Sequence, residues 1–426
     1  MNNKLVVLGI VFILLFTVDL SLFDSHASSS PIYKIPFNIT NTQNIPTSNP
    51  FQELFIINEN NYKGLIIYNG SFANFEFIFS NGQVIPAWIE MNNSGNILVW
   101  LKLPSIPAYS SITIYLSFYP LNDNLLSSSG TSGIGESPLL SNIYGEYDDG
   151  SAVFDFYDNF AGNELNGNNW VYGGSGTITV NNYVYIKSLS TPSDIYIISR
   201  QGFNPSNTIF DVYYNLAFDY FPGLGMLGGQ SSNSNGYFVY PGSSIYDFYN
   251  GSYLEPYSLV NDGSSGYYPY SINPQSVVSM SWQFNNKEVY IDNYGFGTVY
   301  FNQTFNIYSL PSMVFYGIGV ATGSYLGTSG GYINVSWVDV RAYPPNGIMP
   351  SIIQGVIVSV SNSSQNQSSQ SNSINVYNST FENFQFNSQY FSFIIDPFFI
   401  YYLLIFLILI FIIFMAIASV RRQKND

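Results

Sequence analysis

The chain ends in the feature that most restricts its architecture. From Phe398 to Val420 the sequence is an uncharged apolar run, and Arg421, Arg422 and Lys424 follow at once. At ~1.5 Å per residue a helix over this run extends about 34 Å, enough to cross a bilayer. Asp396 is placed to cap its N-terminus, and Pro397 suits its first turn. A buried core helix is the competing reading; apolar residues all round with a basic stop favour a membrane span. The positive-inside rule assigns residues 421–426 to the cytoplasm and the bulk of the chain to the outside. The expected localisation is the cell membrane, crossed once, N-terminus outside. A lipid-anchor signal would lack the basic tail.

The other end agrees. Lys4 precedes an apolar stretch from Leu5 to Val18, broken by Asp19. This stretch falls short of the ~20 residues a spanning helix needs, so residues 1–27 read as a signal peptide. Ser25-His26-Ala27 supplies small residues for cleavage, giving a mature start near Ser28. A pilin-type leader is the rival, but no glycine follows Lys4.

Composition then removes whole classes of function. There is no cysteine, and the single histidine, His26, lies in the leader. Thiol catalysis, thiolate metal sites, Ser-His-Asp triads and His-ligated metals are therefore closed to the mature chain. With 11 basic against 26 acidic residues the formal charge is −15, which argues against a nucleic-acid partner. Only 9% of residues are charged, so the polar surface must come from amides, hydroxyls and tyrosines. Such a surface changes little on acidification and suits an acidic habitat, for instance that of a thermoacidophilic archaeon. The codon usage of an AT-rich genome would yield the same composition.

Before the membrane lies Ser361-Asn-Ser-Ser-Gln-Asn-Gln-Ser-Ser-Gln-Ser-Asn-Ser373, which has nothing to pack. Residues 347–396 accordingly read as a stalk. Glycosylation sequons begin at Asn38, Asn69, Asn92, Asn250, Asn302, Asn334, Asn362, Asn366 and Asn378.

Between Pro31 and Pro345 strand signals dominate. In Ser111–Phe118, Ile112, Ile114, Leu116 and Phe118 share one face. Strands are also predicted over Asn96–Leu103, Thr177–Val180, Tyr183–Ile186, Thr208–Phe218, Val277–Phe284, Lys287–Ile291, Met313–Val320 and Tyr332–Arg341. Asn285-Asn286 reads as a tight hairpin turn. The expected fold is all-β: two consecutive β-sandwich, jelly-roll-like domains, 28–149 and 150–346, plus the C-terminal transmembrane helix. The Ser/Gly stretch Ser127–Ser137 would serve as a linker, but the fresh aromatic run Phe154–Phe160 places the boundary near Gly150.

Pro86-Ala-Trp-Ile-Glu90, then Ile97-Leu-Val-Trp-Leu-Lys-Leu-Pro104, then Ser111-Ile-Thr-Ile-Tyr-Leu116 resembles the family called domain of unknown function 2341. The resemblance covers roughly Pro31–Phe160. The region that follows resembles concanavalin A-like lectin/glucanase sandwiches, through Asp158-Asn-Phe160, Trp170, Lys287-Glu-Val-Tyr-Ile-Asp292 and Ser336-Trp-Val-Asp-Val-Arg-Ala-Tyr343. It implies a sugar binder, a glycosidase or an inert spacer.

Catalytic candidates are thin. Glu288 and Asp292 share a strand face, but four residues of strand set them roughly 13 Å apart, too far for a retaining glycosidase. Solvated hairpin charges are the simpler reading. Gln283 with Glu288 offers an unspecific peptidase pair. Asp148, Asp149 and Asp155 offer oxygens for calcium, against the simpler role of a turn at a domain junction; no other cofactor is expected. The tyrosine-rich stretch holding Tyr237, Tyr240, Tyr246, Tyr267 and Tyr268 suits sugar stacking, although half-buried strand tyrosines account for it equally. The expectation is a non-enzymatic surface protein that binds glycans, adheres or builds the envelope, with glycans or other envelope proteins as partners. A surface glycoside hydrolase or acid peptidase is the alternative.

Overall fold

The computed structural model describes residues 30–360 apart from short internal stretches and the longer ones at 259–275, 290–300, 303–311 and 323–330; between 214 and 311 the description is essentially one of the backbone. The leader, the Ser361–Ser373 stretch and the apolar run 398–420 lie outside the described residues. Among the described residues no helix is long and apolar enough to cross a membrane.

Two-residue alternation builds the first sandwich. It comprises β1 (Tyr33–Thr40), β2 (Phe51–Asn58), β3 (Phe75–Phe79), β4 (Ala87–Asn93), β5 (Asn96–Leu103), β6 (Ser111–Phe118) and β7 (Gly135–Glu136). One sheet pairs β1 with β6 and β6 with β3, and a second has the order β2-β5-β4-β7. Ile35, Phe37, Phe75, Ile114 and Leu116 from the first face Phe55, Ala87, Ile89, Val99 and Leu101 from the second in one buried core. At ~25 cal/mol per Å² of apolar surface removed from water, such a core supports a cysteine-free domain. The Ser/Gly stretch is folded in: β7 pairs in parallel with β4, and Glu136 and Ser137 are buried.

The second sandwich comprises β8 (Phe156–Asp158), β9 (Trp170–Gly174), β10 (Gly176–Val180), β11 (Val184–Ser188), β12 (Ser193–Ser199), β13 (Thr208–Phe218), β14 (Pro222–Leu227), β15 (Gly236–Tyr240), β16 (Ser244–Tyr249), β17 (Ser252–Ser258), β18 (Ser276–Ser281), β19 (Glu288–Val289), β20 (Phe301–Asn302), β21 (Phe315–Thr322) and β22 (Tyr332–Ala342). One sheet runs β10-β11-β22-β13-β18, with β8 also on β22; the other runs β17-β16-β15-β14-β21-β12-β9. Ile186, Phe210, Val212, Val338 and Val340 from the first meet Trp170, Ile195, Ile197, Tyr316 and Ile318 from the second. The regular structure of the described residues is almost wholly β, as the patterning predicts, with helix confined to Gly150–Val153 and the short 3₁₀ turns Glu59–Tyr62 and Pro345–Gly347. β19 pairs with β20, and the predicted Asn285-Asn286 turn lies outside the described residues.

The expected start of the stalk at 347 is corrected. After β22 the chain returns to the first sandwich as β23 (Ser351–Gln354) and β24 (Val358–Ser359), both antiparallel to β1. The Val360 N–H donates to the Ile32 carbonyl at 2.9 Å, and the Tyr62 hydroxyl donates to Gln354 Oε1 at 2.9 Å. Ile352 and Ile357 pack against the first core, so the body extends to Val360. The second sandwich is thus an insertion between β7 and β23.

Candidate functional site

The side chains best placed to carry chemistry meet where the two sandwiches join. Alternation in β4 and β5 sends Ala87, Ile89, Val99 and Leu101 inward, so Trp88 and Trp100, directly opposite one another, face outward. In β22 and β13, Val338, Val340, Phe210 and Val212 point inward. Trp337, Asp339 and Arg341 therefore lie on the outer face, across from Tyr213, Asp211 and Ile209. These two outer faces cover one another, with Val153 and Phe154 of the connecting segment between them. Trp88 meets Trp337 edge-on at 5.2 Å and Phe154 edge-on at 5.3 Å, and Tyr213 stacks on Trp337 at 5.3 Å. The Arg341 guanidinium lies 4.8 Å over the Trp100 ring, a desolvated cation–π contact.

Polar groups tie the same face together. Gln52 donates through Nε2 to the Val153 carbonyl (3.1 Å) and to Asp155 Oδ1 (3.2 Å), while its Oε1 accepts from the Ala342 N–H (2.8 Å). Lys102 Nζ donates to the Ala152 carbonyl at 2.9 Å. The Trp100 indole donates to Glu90 Oε2 at 2.7 Å.

The joint is unusually acidic. Arg341 Nε pairs with Asp211 Oδ2 at 2.5 Å. Asp339 is the cross-strand neighbour of Asp211; the two residues are 1% and 3% exposed, and one oxygen of each has no hydrogen-bond partner. Burial pushes the Asp339 carboxyl well above its usual range; Asp211 adds to this, Arg341 opposes it, and Glu90 and Asp155 raise it further. Both carboxyls are buried within the joint.

Asp148, Asp149 and Asp155 offer either calcium oxygens or a junction turn, and Asp148 is fully engaged by protein donors. Asp148 accepts from the Trp88 indole (2.8 Å), the Tyr157 hydroxyl (2.7 Å), Asn159 Nδ2 (2.7 Å) and the Gly150 N–H (3.0 Å). Four donors occupy its oxygens, and among the described residues no group of three or more acids or histidines is placed to hold a metal. Asp148 is a junction turn and Asp149 lies buried against Gly135. Burial, then the charge of Asp148, pushes Asp149 up to about 8.

Of the predicted tyrosines, Tyr237 and Tyr240 are on β15 and Tyr246 is on β16. Tyr246 is opposite Phe238 and Tyr240 opposite Ser244, so these two fall in one phase of the pleat; Tyr237, opposite Asp247, falls in the other. Tyr267 and Tyr268 lie outside the described residues. So does Asp292, whereas Glu288 is on β19. Among the sequons, Asn38, Asn69 and Asn92 are exposed, while Asn334 is half-buried in β22 with its amide oxygen enclosed. Asn302 is on β20, and Asn250, Asn362, Asn366 and Asn378 are outside the described residues. The acidic joint itself was missed at the sequence level. Its one signal is Trp337-x-Asp339-x-Arg341, polar residues in alternation on a strand whose other face is valine.

No protein-family model matches the chain, that of domain of unknown function 2341 included. The chain is 30% identical over 367 residues to uncharacterized protein 562 of Sulfolobus islandicus rod-shaped virus 1, a match covering 75% of this chain and 58% of that protein. The chain therefore spans somewhat over half the length of the curated relative it matches. Similar solved structures include the endo-β-1,3-glucanase from Pyrococcus furiosus, 13% identical over 45% of this chain and 94% of that one, with a TM-score of 0.32. The carbohydrate recognition domain of Emp47p is 12% identical over 44% of this chain and 95% of its own, with a TM-score of 0.29.

Proposed function

We propose that this is a single-pass, membrane-anchored surface protein whose two joined sandwiches are displayed outside the cell for glycan binding, adhesion or envelope structure. One observation carries the reading: the described body begins and ends on adjacent backbone, with Val360 bonded to Ile32. A chain leaving from Val360 toward an anchor at 398–420 holds the body by its first sandwich. The inserted second sandwich, which we take to be jelly-roll-like and concanavalin A-like on its strand motifs, is left as the presented part. The hairpin with Tyr240 and Tyr246 in phase is its proposed contact surface.

The acid pair Asp211 and Asp339 supports a scaffold role, because it is enclosed between sheets. The test uses intact cells carrying a tag after Asp426. Added protease should release a large fragment by cutting within 361–396 and leave the tag protected. The released body should be retained on a glycan or envelope fraction, and Tyr240→Ala with Tyr246→Ala should weaken that retention about tenfold. Digestion of the tag from outside would overturn the topology. Turnover of a polysaccharide or a denatured protein by the body would overturn the binding role.

A further inference from the structure

We propose that the joint between the two sandwiches is an acid latch: it is closed and rigid while its carboxyl groups hold protons, and it loosens in neutral solution as they ionise. The inference rests on the geometry of the joint and is independent of the display reading above. An interface that merely fixed two domains would match each buried acid with a base, because an unpaired buried charge is costly. This one does not. From β13 and β22 come Asp211 and Asp339, and from β4 comes Glu90, all buried. The connecting segment adds buried Asp149, half-buried Asp148 and, at the exposed rim, Asp155. Against these six stand Arg341 of β22 and Lys102 of β5. Arg341 is engaged by Asp211 and Trp100, and Lys102 donates to a backbone carbonyl. From β8, Tyr157 donates to Asp148. The Tyr144 hydroxyl donates to the Asn159 and Ser336 carbonyls. Glu136 and Glu146 add negative charge on the Asp148 side, and the rings of Trp88, Trp100, Tyr213 and Trp337 also face the joint.

Fully ionised, the joint would enclose more negative charge than its two cations can balance. Oxygens of Asp149 and Asp339 are buried without a partner, which suits carboxyls that keep a proton. Burial raises Asp148, Asp149 and Asp339. The sign follows from linkage. A carboxyl raised in the closed state favours closure below its free value near 4, and this contribution fades as pH climbs through the raised value. For Asp149 the fading runs from about 4 to about 8. Opening exposes these groups to water, where they ionise freely. Each proton released on opening then shifts the open-to-closed ratio about tenfold per pH unit.

The absence of cysteine makes a direct test practical. Ser80→Cys and Thr177→Cys place one exposed label on each sandwich of the full chain, held in detergent or lipid discs. Pulsed electron–electron spin resonance then reads the label separation between about pH 4 and about pH 8. The expected result is one narrow distribution in acid and a second, broad component that grows about tenfold per pH unit while the far-UV circular dichroism stays constant. With Asp149→Asn and Asp339→Asn added, the distribution should remain narrow throughout. A separation that is narrow and unchanged in the parent chain across the range would overturn the latch, whatever the variant does. So would a broad component that appears only with loss of the β signal, or one that persists undiminished in a folded double variant.

Discussion

At the residue scale the chain tolerates buried acids that ordinary domains avoid, and Glu53 is the plainest of them. It lies on β2 in phase with Phe51, Phe55 and Ile57, facing the first core, with one oxygen lacking any partner. Burial alone holds its carboxyl well above the usual range. The neutral form is the one the core accepts, so stability from this site is present in acid and lost as pH rises through the raised value. Glu53→Gln should therefore stabilise the protein by about 1–3 kcal/mol near pH 7 and by almost nothing near pH 3. Urea unfolding at the two pH values checks this, and equal effects at both would refute it. Gly135 makes the opposite case. A Cβ there would run into the Asp149 carboxylate, so Gly135→Ala should cost about 1–3 kcal/mol, read as a lower urea midpoint.

At the element scale the return of the chain to β1 is the most testable feature. Ile352 is opposite Ile39 and packs on the first core, whereas its neighbour Ile353 is 62% exposed. Ile352→Asp should cost about 1–3 kcal/mol and speed amide exchange along β1, while Ile353→Asp should stay within about 0.5 kcal/mol. Equal effects would refute the pairing. These strands also show where sequence legibility ends. β5, β6 and β13 are predicted to the residue because eight or more residues of alternating or apolar pattern announce them. β23 and β24 are too short for a period, and their partner strand is about three hundred residues earlier, with Ser351 touching a residue 311 positions away. A polar stretch follows, so composition blends them into the stalk. The joint was hidden for a related reason. Trp88, Trp100 and Trp337 mark strands in any reading, but only the pairing of two outer faces reveals that they meet. Asp211 and Asp339, 128 positions apart by number, become neighbours only through the β13–β22 register.

At the scale of the whole molecule several enclosed acids act in one direction. Glu53, Glu136, Asp148, Asp149 and Asp339 are all pushed up, in each case chiefly by burial. Glu136 shows that this is not confined to the joint. It is held inside the first sandwich by the Tyr68 hydroxyl at 2.7 Å and by Ser141, with no base beside it. Each such group binds its proton more tightly folded than unfolded. Wherever the folded state binds more protons, stability falls as pH rises. The window opens near pH 4, where free carboxyls ionise, and reaches about 8 for Asp149. The formal charge of −15 works the same way, since self-repulsion grows as carboxylates ionise. The thermal midpoint should accordingly peak near about pH 4 and fall by several degrees by about pH 8, as roughly 2–4 °C accompany each kcal/mol lost in domains of this size. Scanning calorimetry of the full chain across that range checks it. A midpoint that peaks at or above pH 7 would mean that the buried carboxyls are ionised at little cost, and would sink the acid-stabilised reading of the whole fold.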